Sequence, residues 1–462
     1  MSSKRGRFLL GYLAMIGVGV LLFVMIGRLG SGLETLSTTA PSIGASTTTP
    51  AHLLEHLLLA LTVIVLLARV VGMLFQRIHQ PPVIGEVVAG ILLGPSLLGQ
   101  VSPEAMKFLF PSSVVIALNG MAQFGVILFM FVVGLELNLD RLRERPKAMI
   151  AISHASILCP FLLGAALALY LYPRFATPGF PFIAFALFMG VTMSVTAFPV
   201  LARILTDRGI QQSRLGVLAL TCAAIDDVLA WCLLALVVGV IQAQLSQAIL
   251  TGVLTLVYIA MIFVVVRPLL HRVILKHEAK GISDEQTMAW LIIGLFLSCL
   301  TTEYIGIHAL FGAFLLGAVI PHESRVAHML TEKIQDFVTI LLLPAFFALT
   351  GLRTQIGLNE VREDWVALVL IMLVAFGGKY GGTAITARLT GLDWRESSAL
   401  GVLMNTRGLV ELIVLNVGLD LKVLTPRLFA LFVIMAVVTT FATSPILDRL
   451  LSTEWRQQNL EK

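Results

Sequence analysis

The chain has little charge. Only 13% of its 462 residues are charged, while 58% are hydrophobic and the mean hydropathy is +0.94. An ordinary soluble domain carries about 25% charged residues, so a soluble enzyme is excluded because it could not cover its surface. The 32 Lys and Arg residues barely exceed the 27 Asp and Glu residues and are scattered in short loops. This pattern excludes a nucleic-acid-binding face.

Cysteine is also scarce. The four cysteines lie in apolar runs and form no Cys-x-x-Cys pair, so neither a disulfide framework nor a zinc site is indicated. We expect no cofactor. The stretch after the last apolar run, residues 449–462, is too short for a regulatory module.

Long apolar runs dominate what is present. A bilayer core about 30 Å thick requires about 20 apolar residues per helix. Fourteen runs approach this length, near residues 9–28, 53–75, 83–99, 114–135, 148–171, 181–202, 214–240, 248–268, 286–302, 304–321, 336–352, 364–388, 397–418 and 427–448. They predict an all-α polytopic membrane protein of about 13–14 transmembrane helices, numbered here as spans 1 to 14.

Span 1 has a second interpretation. It follows basic residues and precedes a Ser/Thr-rich external segment within residues 1–51, as a signal peptide would. We favour a retained extra helix, because the run is longer than the apolar part of a signal peptide and no clear cleavage site follows.

Basic residues set the orientation. If the N-terminus, with Lys4, Arg5 and Arg7, is cytoplasmic, most Lys and Arg residues in loops are also cytoplasmic, as membrane proteins prefer. We predict a multi-pass protein of the cell (inner) membrane with both termini in the cytoplasm.

A short internal repeat points to a transporter architecture. Residues 89–94 in span 3 resemble residues 312–317 in span 10, seven spans later. An odd offset places the two copies in opposite orientations, as in the inverted-topology repeats of many secondary transporters. The same offset pairs spans 6 and 13.

Spans 6 and 13 both contain features that interrupt a helix. Span 6 has Ser194 and Thr196 before Pro199, and proline removes a backbone donor. Span 13 contains Asn405 and Arg407 in an apolar run, and such polar groups must face protein or water. We favour two broken helices that line an ion site over two kinked helices packed on their neighbours. Glu411 lies one turn after Arg407 and can pair with it, although Glu136 and Glu303 are alternative partners.

Two adjacent carboxylates occupy the middle of span 7. A central Asp costs about 2.5–3.5 kcal/mol in a membrane helix. Asp226 and Asp227 point about 100° apart on a helix, so they cannot face the same partner. Lys379 lies in span 12 between pairs of glycines, which allow another helix to approach closely. We expect Lys379 to pair with one of the two aspartates.

The other aspartate then lacks a partner. Burial disfavours the charged form of a carboxyl group, so the group holds a proton until a cation replaces it. Competition between one proton and one cation for one site is sufficient for antiport. The hydroxyls of Ser194 and Thr196, with carbonyl groups freed by the break, would supply further oxygen ligands for an alkali cation.

These motifs resemble those of the monovalent cation:proton antiporter superfamily, in the branch of the potassium-efflux-type and plant cation/proton exchangers. The resemblance covers about residues 52–448 and depends on four segments, residues 81–95, 131–136, 194–203 and 405–411. It implies a sodium/proton antiporter-like fold with two broken crossing helices. It also implies that Asp227 binds the cation and the proton, that Lys379 pairs with Asp226, and that Thr196 and Asn405 lie in the breaks.

The resemblance further implies a homodimer with two kinds of unit. Residues 52–147 and 269–352 would form a scaffold, residues 148–247 and 353–448 would form a moving core, and residues 248–268 would link them. Two departures matter. Plant-type exchangers usually have Asn-Asp where this chain has Asp226-Asp227, and the Asp-Asp pair is more like that of electrogenic sodium/proton antiporters. The large cytosolic tail of many relatives has no counterpart here.

The sequence therefore predicts a secondary transporter, not an enzyme, that exchanges Na⁺ or K⁺ for protons. A cation channel is one alternative, since a polar path with acidic lining can conduct. A structural membrane protein with a buried Asp–Lys salt bridge is another, but that interpretation leaves one aspartate unexplained. An intramembrane aspartyl protease would need its two aspartates on different helices.

Overall fold

The computed structural model describes residues 17–26, 28–29, 53–136, 146–211, 213–242, 245–280, 284–321, 324–355 and 362–451. The basic N-terminus, the Ser/Thr-rich segment before residue 53, the predicted cytoplasmic loop at 137–145 and the tail after residue 451 lie outside these ranges, so the orientation drawn from their charges stays a prediction.

The described residues are helical and contain no strand. The helices are α1 (Gly17–Ile26), α2 (Leu53–Arg77), α3 (Pro82–Leu93), α4 (Leu98–Val101), α5 (Pro103–Leu109), α6 (Ser112–Glu136), α7 (Pro146–Phe175), α8 (Phe182–Ser194), α9 (Phe198–Asp207), α10 (Arg214–Gln242), α11 (Leu245–Met261), α12 (Arg267–Lys280), α13 (Asp284–Ile305), α14 (Ala309–Val319), α15 (Arg325–Phe337), α16 (Leu343–Arg353), α17 (Arg362–Leu389), α18 (Trp394–Met404), α19 (Leu409–Asp420) and α20 (Pro426–Leu450). Short π-helical turns, Ile262–Val266 and Val338–Leu342, join α11 to α12 and α15 to α16.

The count of full-length spans is lower than predicted. Among the described residues, 11 helical stretches are long and apolar enough to cross a bilayer, and the bent pair α18–α19 makes a twelfth. Predicted spans 1 and 10 correspond to the shorter helices α1 and α14. The 11 residues of α14 rise about 16 Å, roughly half of a bilayer core. Its apolar run is longer than the helix because the run begins with a turn at Gly306, where φ is 93°.

Both predicted broken spans are present. Residues 195–197 interrupt span 6 between α8 and α9, and residues 405–408 interrupt span 13 between α18 and α19, with a 43° bend. The two breaks touch, since the Ala197 amide donates to the Thr406 carbonyl at 2.9 Å. Pro199 lies in the first turn of α9, where backbone amides have no partner within the helix, so the missing amide of proline costs no hydrogen bond. It therefore favours the start of a new half-helix at this point.

Two backbone crossings have the same local design. In the first, α3 crosses α16, and a Cβ on Gly94 would collide with the carbonyl of Gly351. In the second, α14 crosses α6, and a Cβ on Gly317 would collide with the carbonyl of Phe131 and lie 3.0 Å from the Cα of Gly134. Gly94 and Gly317 are the last residues of the two repeated segments recognised in the sequence.

The broken helices lie at the centre of the molecule. Nearly all side chains of α8, α14 and α19 are buried, which agrees with their being apolar on every face. In contrast, only 17% of the apolar window of residues 250–274 and 28% of that of α2 are buried, so these helices form the periphery.

Candidate functional site

The two aspartates of α10 are both inaccessible to solvent. Asp226 is 0% exposed and Asp227 is 1% exposed. They lie in the middle of α10, which packs against α7, α8 and α18. The break between α8 and α9 lies next to them, since Thr196 in this break contacts Asp226.

Asp226 is surrounded by hydrogen-bond donors. Its Oδ2 atom accepts hydrogen bonds from Lys379 Nζ at 3.0 Å and Thr196 Oγ1 at 3.1 Å. It also accepts one from the hydroxyl of Ser156 on α7. Lys379 Nζ donates to Thr196 Oγ1 as well, at 2.6 Å. The expected pair is therefore Lys379 with Asp226, and Thr196 joins it.

The glycines around Lys379 explain how α17 comes close enough. A Cβ on Gly378 would lie 2.8 Å from the Cα of Pro160, and one on Gly382 would lie 2.7 Å from the carbonyl oxygen of Ala155. Pro160 and Ala155 are both on α7. The helix that carries Lys379 thus lies directly against the helix that carries Ser156.

Asp227 has a different environment. Neither of its carboxyl oxygens has a hydrogen-bond partner among the described residues, and the same is true of both side-chain atoms of Asn405. A buried polar group without partners costs free energy, and a buried charge without a partner costs considerably more. One of these groups lies on α10 and the other in the break before α19, and both are available to a small polar ligand.

Arg407 joins the two broken spans. It is completely buried and lies in the break before α19. Its Nη1 atom donates to Glu411 Oε2 at 2.9 Å and to the carbonyl of Thr192 at 2.7 Å, and Nη2 donates to the carbonyl of Met193 at 2.6 Å. Of the three partners left open by the sequence, the structure selects Glu411. Arg407 also satisfies carbonyls at the end of α8, which have no helical donor.

Ser194 takes no part in the network of Asp226. Its hydroxyl donates to the carbonyls of Ile157 at 2.9 Å and Gly190 at 2.7 Å. It therefore secures the end of α8 to α7. Ser194 thus lies at the end of α8, next to the break, but its hydroxyl contacts neither aspartate.

Ser156 is the residue that sequence reasoning missed. A single serine in an apolar run is unremarkable, since it usually bonds to its own helix. One signal was present: Pro160 follows four residues later and cannot donate to the Ser156 carbonyl.

A separate cavity lies between α19 and the helices α6, α13, α14 and α16. Its volume is about 720 Å³, and its polar lining includes Asn119, Glu303, His308, Arg353 and Asp420. Arg353 bridges it, donating to Asp420 Oδ1 at 2.8 Å and Asn416 Oδ1 at 3.1 Å. Neither aspartate of the central site lines this cavity.

The arrangement of two crossing broken helices around a buried Asp-Asp pair can be compared with known proteins. A sequence model described as sodium/hydrogen exchanger, transmembrane, matches residues 61–452. The chain belongs to this family. The family resemblance drawn from the motifs is thereby confirmed.

Curated relatives of this chain carry antiporter names. It is 44% identical to the Na(+)/H(+) antiporter NhaS4 of Synechocystis over 84% of this chain and 95% of that protein. It is 39% identical to cation/H(+) antiporter 17 of Arabidopsis thaliana over 86% of this chain and 48% of that protein. It is 36% identical to K(+)/H(+) antiporter 1 of Saccharomyces cerevisiae over 83% of this chain and 45% of that protein. The chain thus spans about half the length of the plant and yeast relatives.

The fold matches that of a solved antiporter. The sodium proton antiporter MjNhaP1 from Methanocaldococcus jannaschii superposes with a TM-score of 0.62 at 14% identity, over 89% of this chain and 100% of that one. At this identity the likeness shows the fold alone. The predicted antiporter-like fold is confirmed.

Proposed function

We propose that this protein is a secondary transporter that exchanges a monovalent cation, Na⁺ or K⁺, for protons by alternating access. Relatives named as Na(+)/H(+), cation/H(+) and K(+)/H(+) antiporters support this activity. No enzymatic step is needed for it.

The observation that carries the proposal is the contrast between the two aspartates. Asp226 has Lys379 and two hydroxyl donors, whereas Asp227 has no donor among the described residues. Asp227 is therefore the group on which a proton and a cation compete. A proton neutralises it in one half of the cycle, and a dehydrated cation neutralises it in the other.

The neighbouring residues have supporting roles. The amide oxygen of Asn405 offers the cation a second uncommitted oxygen, since it has no donor among the described residues. Thr196 holds the charged Lys379–Asp226 pair in place beside the site. Arg407 and Glu411 hold the broken helices together, and Ser194 and Pro199 fix the ends of the first break.

Alternating access requires that a core carrying the site moves against a scaffold. We assign α7–α10 and α17–α20 to the core, α2–α6 and α12–α16 to the scaffold, and α11 to the link. Both glycine crossings, α3 with α16 and α14 with α6, join the two halves of the scaffold, which supports inverted repeats. We further propose a homodimer in the cell (inner) membrane with both termini cytoplasmic.

Proton flux in proteoliposomes tests the function. Vesicles with an internal pH dye are acidified, and Na⁺, K⁺ or Li⁺ is then added outside in turn. Exchange predicts cation-dependent alkalinisation that persists when the membrane potential is clamped at zero. A cation current without proton movement would establish the channel alternative. No response to any cation would contradict the proposal.

A further inference from the structure

The cavity of about 720 Å³ lies on the boundary between the two proposed units. Its wall α19 belongs to the core, whereas its walls α6, α13, α14 and α16 belong to the scaffold. The charged lining residues Glu303, Arg353 and Asp420 lie in the last turns of α13, α16 and α19. All three of these helices end on the predicted outer side, so we call this cavity the outer vestibule.

Arg353 crosses the boundary between scaffold and core. From the end of α16, its Nη1 atom donates to Asp420 Oδ1 at 2.8 Å and to Asn416 Oδ1 at 3.1 Å, both on α19. Its Nη2 atom donates to Asn119 Oδ1 on α6 at 3.4 Å. Asn416 Nδ2 donates in turn to Thr350 Oγ1 on α16 at 3.0 Å. One ion pair and two hydrogen bonds therefore join α16 to α19.

The helix that carries this contact also begins at the second break. Glu411 in the first turn of α19 pairs with Arg407 in the break. The 12 residues of α19 rise about 18 Å, so a movement of the break is carried along a rigid helix to Asp420. The vestibule does not reach the break, because its lining residue on α19 nearest the break is Ile413.

We propose that Arg353 and Asp420 form an outer gate, a contact between scaffold and core that must break before a cation can pass between the outer vestibule and Asp227. Any separation of α16 from α19 at this end lengthens the contact. The inference rests on the proposed function, because it names the residues that hold one side of the proposed site closed. The side chains of Arg353 and Asp420 are 23% and 51% exposed, so water competes for the pair and the gate can open in each cycle.

A native cysteine can report the opening of this gate. Cys299 on α13 lines the outer vestibule and is 6% exposed. Of the four cysteines, all of which the structure describes, it alone lines the vestibule. A membrane-impermeant maleimide should therefore reach Cys299 faster when α19 separates from α16 more often.

The test measures the initial rate of Cys299 labelling by this maleimide in proteoliposomes, with mass spectrometry to identify the labelled cysteine. Loss of an exposed ion pair shifts an equilibrium by up to about fivefold. We therefore expect labelling of Asp420→Asn to be faster by up to this factor. Arg353→Met should be labelled at least as fast, because it also loses the bond to Asn416. The double variant should match Arg353→Met, since its gate is already broken.

Asp448→Asn is the matched control. Asp448 is 47% exposed and pairs with Arg208 at 2.9 Å, much as Asp420 pairs with Arg353. The control pair joins α9 to α20, which both belong to the core. Its loss should leave the rate of Cys299 labelling at the wild-type value.

Gel filtration and thermal unfolding check the folding of each variant, and Asp420→Asn carries the test if Arg353→Met does not fold. Labelling of the denatured protein first establishes that the Cys299 thiol reacts. A wild-type labelling rate in folded Asp420→Asn would overturn the inference, and so would an equal rise in Asp448→Asn, since that would reveal general loosening. Labelling requires no transport, so absence of exchange by the wild-type protein, which would contradict the proposed function, is a separate result.

Discussion

At the scale of single residues, two acids that are adjacent in sequence point in different directions from one helix. A rotation of about 100° per residue points Asp226 at α7, α17 and the break of span 6, where Ser156, Lys379 and Thr196 donate to one of its oxygens. The same rotation turns Asp227 away from all of them. Identical side chains thus acquire different chemistry through direction alone.

Thr196 connects the break in span 6 to this charged pair. Thr196→Val keeps the side-chain volume but removes the oxygen that accepts from Lys379 and donates to Asp226. We expect the apparent KM for the cation to rise more than the maximal rate falls, because the binding site loses its support while the path stays open. Initial rates of exchange at varied cation concentration measure both quantities.

Thr192→Val is the matched control. Thr192 lies on α8, four residues before Thr196, and its hydroxyl has no partner among the described residues, so the KM of this variant should stay near that of the wild type. Equal losses of rate and affinity in Thr196→Val, or no change in either, would count against the support role of Thr196.

At the scale of elements, the two broken spans depend on each other. Each break exposes backbone groups that a continuous helix would satisfy. The contact of Ala197 with Thr406 and those of Arg407 with Thr192 and Met193 satisfy groups of one span with groups of the other. Each broken span is therefore stabilised in part by groups of the other.

Arg407→Met tests this dependence. It leaves Glu411 buried without its cation and removes the donors of two carbonyls. Breaking a buried ion pair costs about 3–5 kcal/mol, so a marked loss of stability is expected in unfolding measurements in detergent. Glu411→Gln in the same background should recover part of the loss.

Arg427→Met provides the comparison, because Arg427 is 38% exposed in its pair with Asp364. Pairs exposed to solvent are worth about 0–1 kcal/mol. A loss for Arg407→Met no larger than that for Arg427→Met would show that the buried pair does not hold the breaks together.

The elements that could be predicted are those marked by residues within their own stretch of sequence. Pro199 and the polar run from Asn405 to Arg407 are local signals, and they predicted both breaks correctly. The length of α14 was not predictable, because an apolar run does not show where a turn such as that at Gly306 begins. Ser156 was missed because its partner Asp226 is brought to it by helix packing, which no local pattern records.

At the scale of the whole molecule, the charged pair lies inside the membrane protein with both side chains fully buried. The Asp-Asp pair favours a cycle in which the Lys379–Asp226 pair breaks when a cation binds to Asp227. Two protons would then move for each monovalent cation, so one net charge would cross per cycle. If the pair instead stays closed throughout, exchange is one-for-one and electroneutral.

We expect the electrogenic version. A charge that crosses the membrane is worth about 2.3 kcal/mol per 100 mV, so a potassium diffusion potential set with valinomycin should shift both the rate and the end-point of sodium–proton exchange. Insensitivity of both to voltage would refute this version. In that case Lys379→Ala should reduce stability more than it alters coupling.

The central claim is that proton and cation compete for Asp227, and Asp227→Asn tests it most directly. An amide cannot bind and release a proton, so a folded Asp227→Asn protein should show no cation-dependent proton flux in proteoliposomes for Na⁺, K⁺ or Li⁺. Asp448→Asn, the same substitution at a half-exposed carboxylate that pairs with Arg208, should leave exchange normal. Near-normal exchange by folded Asp227→Asn with any cation would contradict the account.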